Sequence, residues 1–340
     1  MNMHIGISGI GVYVPPQGID AAGLSLKTGI PEDVIAVKFG VRRKPLAGDD
    51  DTTAVMGVKA ARFALDDAGV AASEVDLVLW CGAQHKEYPC WLAGLHVANE
   101  IGALNAWSFD MEAMCGSMMA ALDVAKSMML TRDDLNTVLL VSGYRNNDLI
   151  DYAEPSTRFL LDLSSGGSAC VLRKNAGENV LLGSAFKGDG SLSTDCIFPK
   201  LGSKAWPPKA EDLATAHFVV PDEAAFKAKL AEKTLPNFYW VIDRALELSG
   251  GLGRLDIGYL AILHFKRSAH DAILAELAVD ESRTVYLDQY GHMGQNDQLL
   301  SIKLGLEKGA IHAGDNIVMV GAGLGFVWAA SVVRWGPCSE

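Results

Sequence analysis

The chain has 340 residues, 49% hydrophobic and 21% charged, with a net charge of −12 and a pI near 5.1. It is long and apolar enough to bury a large core, and it has no Lys/Arg block to track a phosphate backbone, so nucleic acid is not an expected partner. No run of about 18 apolar residues spans a bilayer, and six cysteines without CxxC or zinc spacing predict neither a disulfide framework nor a metal site.

The opening "MNMHIGISGIGVYVPP" lacks a basic region ahead of a long apolar segment, and so predicts a first strand rather than a secretory leader. Together with the cysteine usage, this predicts a cytoplasmic protein. The closing "CSE" is one residue short of a prenylation box. Residues 53–70, "TAVMGVKAARFALDDAGV", carry helical periodicity and lead through a turn into the apolar run 75–83, "VDLVLWCGA". In the next stretch, "CGAQHKEYPCW", Glu87, Tyr88 and Trp91 are candidates for a pocket wall or for plain surface packing.

Residues 110–122, "DMEAMCGSMMAAL", place Cys115 where a helix is expected to begin. There, backbone N–H groups and the helix dipole favour a thiolate, while a packed thiol in a core is the plain alternative. Residues 135–143 read as a buried strand, and residues 196–226, broken by Pro199, Pro207, Pro208 and Pro221, read as a long surface loop over a site or a contact.

Residues 235–266 then repeat the earlier helix-then-strand unit, matching Ala64, Gly69 and Asp76 with Ala245, Gly250 and Asp256. Residues 314–322, "GDNIVMVGA", echo 135–143 at a similar offset of about 180 positions, too long for a solenoid repeat. These echoes predict two similar α/β halves, 1–175 and 176–340. Near-continuous apolar strands between helices predict sheets covered on both faces.

Ligands gather at the carboxyl ends of strands in such folds, and four stretches qualify. They are "MEAMCGSMM" with Cys115, "AILHFKRSAH" with His264, "DQYGHMGQND" with His292, and the glycine turn in "MVGAGLGFVW". A nucleophilic thiol needs a base, and a tetrahedral intermediate needs N–H donors. Histidines meet the first need and the glycine turn the second. "GAGLGF" opens no early βαβ unit with an acidic residue about 20 positions on, which disfavours a nicotinamide site.

Taken together, "GIGVYVP" (9–15), "KFGVRRK" (38–44), "AMCGSMMAAL" (113–122), "LHF" (263–265), "YGH" (290–292) and "GAGLGFVWAASVVRW" (321–335) resemble a β-ketoacyl synthase III of the thiolase-fold condensing enzymes over essentially the whole chain. The resemblance implies a layered αβαβα core of two duplicated halves, the first carrying the cysteine and the second the two histidines and the oxyanion turn. It implies a homodimer acting on acyl-CoA or acyl-carrier-protein thioesters, with no permanently bound cofactor.

The same resemblance makes Cys115 the acyl-accepting nucleophile, His264 the catalytic histidine, and the N–H groups of Cys115 and Leu324 the oxyanion hole. Lys38, Arg42 and Arg43 match the basic stretch that faces the pantetheine carrier. Two asparagines of the family pattern are absent, since Arg267 follows His264 by three and His292 stands in "YGH". The adenine-stacking tryptophan falls near Val34, which makes a carrier-protein thioester the favoured donor.

A Cys-His-His set could polarise a thioester carbonyl and stabilise an enolate for C–C bond formation. Alternatively, His292 is a general base toward an oxygen, nitrogen or non-malonyl carbon nucleophile, or the chain is a weak partner subunit of a heterodimer. Asn296 or Asp297 is expected to cap the next helix, with orientation of His292 as the other option. Arg267 is a candidate partner for a substrate carboxylate or phosphate.

Overall fold

A computed structural model describes residues 3–82, 84–213 and 215–338. Met1 and Asn2 of the predicted first strand, Ala83 at the end of the 75–83 run, Ala214 of the predicted loop, and Ser339 and Glu340 of the C-terminal tripeptide lie outside them.

The first half runs β1 (Ile5–Tyr13), β2 (Gly18–Asp20), α1 (Ala21–Thr28), β3 (Arg43–Pro45), α2 (Thr53–Ala68), β4 (Leu77–Trp80), α3 (Ala93–Ile101), β5 (Trp107–Asp110), α4 (Ser117–Thr131), β6 (Thr137–Tyr144) and β7 (Gly166–Lys174). The second runs β8 (Glu178–Gly188), α5 (Ala210–Leu213), α6 (Glu223–Leu248), β9 (Ile257–Ile262), α7 (Arg267–Leu277), α8 (Asp297–Glu307), β10 (Asn316–Gly323) and β11 (Val327–Pro337).

One nine-stranded sheet has the order β5-β4-β6-β7-β1-β8-β11-β10-β9. Read inward from either edge, the pattern repeats. β4 and β6 are parallel, and β7 and β1 then follow antiparallel. β9 and β10 are parallel, and β11 and β8 follow antiparallel. The counterpart of β5 is reduced to one parallel bridge, Leu260 to Thr284. Within the sheet the two repeats join through β1 and β8, with Gly6 in register with Val180.

The echoes seen in the sequence fall on equivalent places. Ala64 and Ala245 are fully buried on α2 and α6, and Gly69 and Gly250 adopt φ of 61° and 89° after those helices, a conformation that glycine enters without a Cβ penalty. α2 packs on β1, β6 and β7, and α6 packs on β8, β10 and β11. α4 and α8 lie between, their buried Met118, Met119, Leu299 and Ile302 joining one cluster with strands of both repeats. This is a layered αβαβα α/β fold of the thiolase type.

Two predicted boundaries shift. The run 75–83 is a strand only over Leu77–Trp80. The predicted loop 196–226 ends early because Asp222 caps α6, its carboxylate accepting from Ala225 N at 3.0 Å, so residues 223–226 are helical. No helix of the described residues is long and apolar enough to cross a membrane.

Candidate active site

The duplication places the reactive groups. Cys115 sits in a tight turn, Met114–Gly116, just before α4, and His292 lies shortly before α8, the equivalent helix. The two helices share the middle layer, so their N-terminal ends meet. Met114 holds φ 49°, a left-handed conformation that costs a non-glycine residue of order 1 kcal/mol. Ser117 braces it, its hydroxyl accepting from Ala113 N at 2.8 Å and donating to Met114 O at 2.6 Å.

His292 Nε2 lies 3.2 Å from Cys115 Sγ, and Nδ1 donates to Asp297 Oδ2 at 2.6 Å. Asp297 is fully buried and also accepts from His264 N at 2.8 Å and Met293 N at 2.7 Å. Burial alone would push the His292 imidazole down, but the charges of Asp297 and Cys115 outweigh it and hold the ring well above its ordinary value of 6.5. The backbone is equally fixed, since His292 N donates to Asp162 O at 2.8 Å and its carbonyl accepts from Ser164 N at 2.9 Å. Gly291 permits this approach, because a Cβ there would come within 2.4 Å of Asp162 O.

His264 is placed differently. Its Nδ1 donates to Asp162 Oδ2 at 2.9 Å, and its Nε2 lies 3.0 Å from the carbonyl oxygen of Gly40. Both nitrogens face oxygen acceptors, so the ring has no free nitrogen to take a proton from a thiol or substrate. In this arrangement the His264 nitrogens face Asp162 and Gly40, whereas the expectation has both histidines aim N–H groups at one substrate carbonyl. Among the described residues, His292 is the histidine that makes a hydrogen-bond contact with Cys115 Sγ.

The preferred expectation for the start of α8 is corrected. Neither Asn296 nor Asp297 caps the helix through its side chain. Asn296 accepts from the Ser168 hydroxyl and donates to Met293 O, while Asp297 orients His292.

Leu324 begins the turn between β10 and β11. The preceding Gly323 packs directly on the nucleophile turn, where a Cβ would come within 2.6 Å of Cys115 N. The two expected oxyanion donors are thus neighbours.

The basic residues divide. Lys38 and Arg267 line a surface pocket of about 540 Å³ with Val34, Val37, Phe39 and Lys266. That pocket adjoins His264 along the chain on both walls, through Phe39–Gly40 and through Lys266. Arg42 and Arg43 do not line it. Arg42 pairs with Asp288 at 2.9 Å, and Arg43 donates to Pro16 O at 3.0 Å. Arg267 is already engaged by Asp271 at 2.8 Å and Glu281 at 2.5 Å, over the Tyr286 ring. Glu87 accepts from Ala54 N at 2.7 Å at the start of α2, and Tyr88 is exposed.

Three residues at the site carry roles that sequence reasoning did not assign or did not prefer. Asp297 was one of two options for orienting His292. Asp162 is a single acid inside the leucine-rich run "FLLDLSS", an oddity that could have marked it. Lys44 closes the motif "KFGVRRK", where no role was read for it. It is fully buried, and Nζ donates to Leu161 O at 2.7 Å and Leu163 O at 2.6 Å. Burial lowers its pKa to about 7 against the opposing pull of Asp162.

Comparison with known proteins agrees with this architecture. Residues 109–190 match the family described as 3-oxoacyl-[acyl-carrier-protein (ACP)] synthase III, and residues 249–335 match its C-terminal part. The chain is synthase III-like. Synthase III enzymes are acyl-transferring condensing enzymes. A β-ketoacyl-[acyl-carrier-protein] synthase III of Clostridioides difficile is 27% identical, over 98% of this chain and 99% of its own. The priming β-ketosynthase of the R1128 polyketide biosynthetic pathway superposes with a TM-score of 0.84 at 25% identity, covering 98% of this chain and 97% of its own. The 3-oxoacyl-[acyl-carrier-protein] synthase III of Aquifex aeolicus gives a TM-score of 0.84 at 20% identity, over 97% and 100%.

Proposed function

We propose that the protein transfers acyl groups from a thioester through an acyl-Cys115 intermediate, with His292 as the base and Asp297 holding it. The observation that carries this reading is the continuous contact from Sγ through the His292 ring to the buried Asp297 carboxylate. The thiolate attacks the thioester carbonyl, and the tetrahedral oxyanion is held by the N–H groups of Cys115 and Leu324. Collapse expels the carrier thiolate, which leaves with the proton from His292. An acceptor then attacks the acyl-enzyme, in the family's manner a carbon nucleophile that forms a new C–C bond.

The donor is a coenzyme A or carrier-protein thioester, entering past Lys38 and Lys266. The same reading includes a cytoplasmic homodimer. In its support, β5 is an exposed sheet edge with Trp107 42% exposed and Leu104 77% exposed nearby, which invites a second copy to continue the sheet. Light scattering on the purified chain decides between one copy and two.

A second reading of the acceptor is favoured by His264. Decarboxylation of a malonyl unit needs N–H donors at the nascent enolate oxygen, and the His264 ring is turned to Gly40 O and Asp162. With His292 as the one histidine facing Cys115, an acceptor that brings its own proton, an alcohol or amine, suits the site better.

Intact-protein mass spectrometry after incubation with acyl-CoA and acyl-carrier thioesters tests the central claim. A gain of one acyl mass, absent in Cys115→Ala, is expected. No loading from any thioester would overturn it.

A further inference from the structure

Asp162 is a largely buried carboxylate that the acyl transfer itself does not use. Its side chain is 13% exposed and that of His264 is 0% exposed, and Leu160, Leu161 and Leu163 beside it are buried. A lone acid in such a run is costly unless paired, and the pairing is His264 Nδ1 at 2.9 Å. The carboxylate is held ionised against its burial by that hydrogen bond and by the nearby cationic charge.

Nor can the acid swing away. Lys44 grips the peptide carbonyls on both sides of it, Leu161 O and Leu163 O, and Asp162 O accepts from His292 N. A rigid clamp therefore fixes one edge of the His264 ring, and Gly40 O takes the other.

We propose that Asp162, braced by Lys44, is a specificity-determining positioning residue that withholds His264 from the reacting thioester and so suppresses decarboxylation of malonyl acceptors. The proposal rests on the second reading of the acceptor given above. In decarboxylation the bond to the free carboxylate breaks, CO2 leaves, and the electron pair moves onto the thioester oxygen as an enolate. Water then protonates the carbon to give an acetyl thioester, unless an acyl-enzyme captures it. Stabilising that enolate requires donors aimed at its oxygen, and His264 serves only once Nε2 leaves Gly40 O. Removing the Asp162 carboxylate frees the ring to do so.

The test uses malonyl-CoA labelled in its free carboxyl group, with the full chain, and measures CO2 release for the wild type, Asp162→Ala, Asp162→Asn and the double variant Asp162→Ala/His264→Ala. Wild-type release is expected to be no faster than that of His264→Ala. Asp162→Ala should raise it at least about tenfold, Asp162→Asn by less because its amide oxygen still accepts from Nδ1, and the double variant should return to the wild-type level. Release by the folded Asp162→Ala variant that is unchanged, or lower than that of the wild type, overturns the proposal.

Nitrogen-15 spectra of the His264 ring provide a readout that does not need the alanine variant to fold. A hydrogen-bonded Nδ1–H signal is expected in the wild type, and its absence would count against the clamp. Loading of Cys115 from acetyl-CoA and octanoyl-CoA, followed by mass in the same samples, reports on acyl transfer separately. A failure there strikes the transfer reading, while the ring spectra and CO2 release still decide the role of Asp162.

Discussion

The two histidines of the second repeat are both buried, and both turn Nδ1 to an aspartate carboxylate, yet they differ in what the other nitrogen meets. For His292 it is a thiol; for His264 it is a peptide carbonyl. A carbonyl accepts a proton donor and gives nothing back, whereas a thiol exchanges a proton with the ring. The partner of Nε2 therefore decides which histidine takes part in chemistry, and an Asp–His pair alone does not mark a general base.

The contrast predicts unequal costs on the two sides. Cys115→Ala should abolish acyl-enzyme formation altogether, as read by intact mass. His292→Ala should slow single-turnover loading by about 10²–10⁴-fold, and Asp297→Asn should fall toward the lower end of that range, because the ring keeps its thiol contact but loses the charge that holds it. His264→Gln should change acyl transfer by less than about tenfold in the same assay. An equal loss at His264 and His292 would erase the distinction.

Stability against pH separates the two sides in another way. The raised pKa of His292 means that its contribution is fully present below about 6.5 and is lost as pH rises through the raised value. Lys44 runs opposite. The unfolded chain binds its proton up to about 10.5 and the folded chain only to about 7, so its burial penalty is relieved, and stability rises, across that window. Urea midpoints from pH 6 to 10 should therefore keep only the falling component in Lys44→Met and only the rising one in His292→Asn. Lys44→Met should also cost about 1–3 kcal/mol for each carbonyl left unsatisfied.

The smallest effect is expected at the pocket mouth. Lys38→Ala should raise KM for a carrier thioester a few-fold and weaken its salt dependence with little change in kcat. Arg267→Ala should do less, because Asp271 and Glu281 already neutralise that guanidinium.

Much was legible from the residue order. Apolar runs punctuated by Gly69 and Gly250, and the recurrence of Asp76 as Asp256, mark the repeated helix–strand units, because periodicity and turn chemistry are local properties. Cys115, His292 and the turn at Leu324 stand in recognisable motifs for the same reason, Cys115 after β5 and Leu324 after β10. The boundary at α6 was missed because Pro221 masks a start that Asp222 caps.

What local order left open was the pairing of groups far apart in the chain. His264 finds Asp162 at a separation of 102 residues and Gly40 at 224, and Lys44 reaches the 161–163 carbonyls from 117 and 119 residues away. Residue identity shows that a histidine leaves a strand, but the direction of its ring is set by which acceptors the folded sheet and its loops bring within about 3 Å. Hydrogen-bond partners across such distances are chosen by packing, and packing decided that one histidine faces the thiol while the other is held away from it.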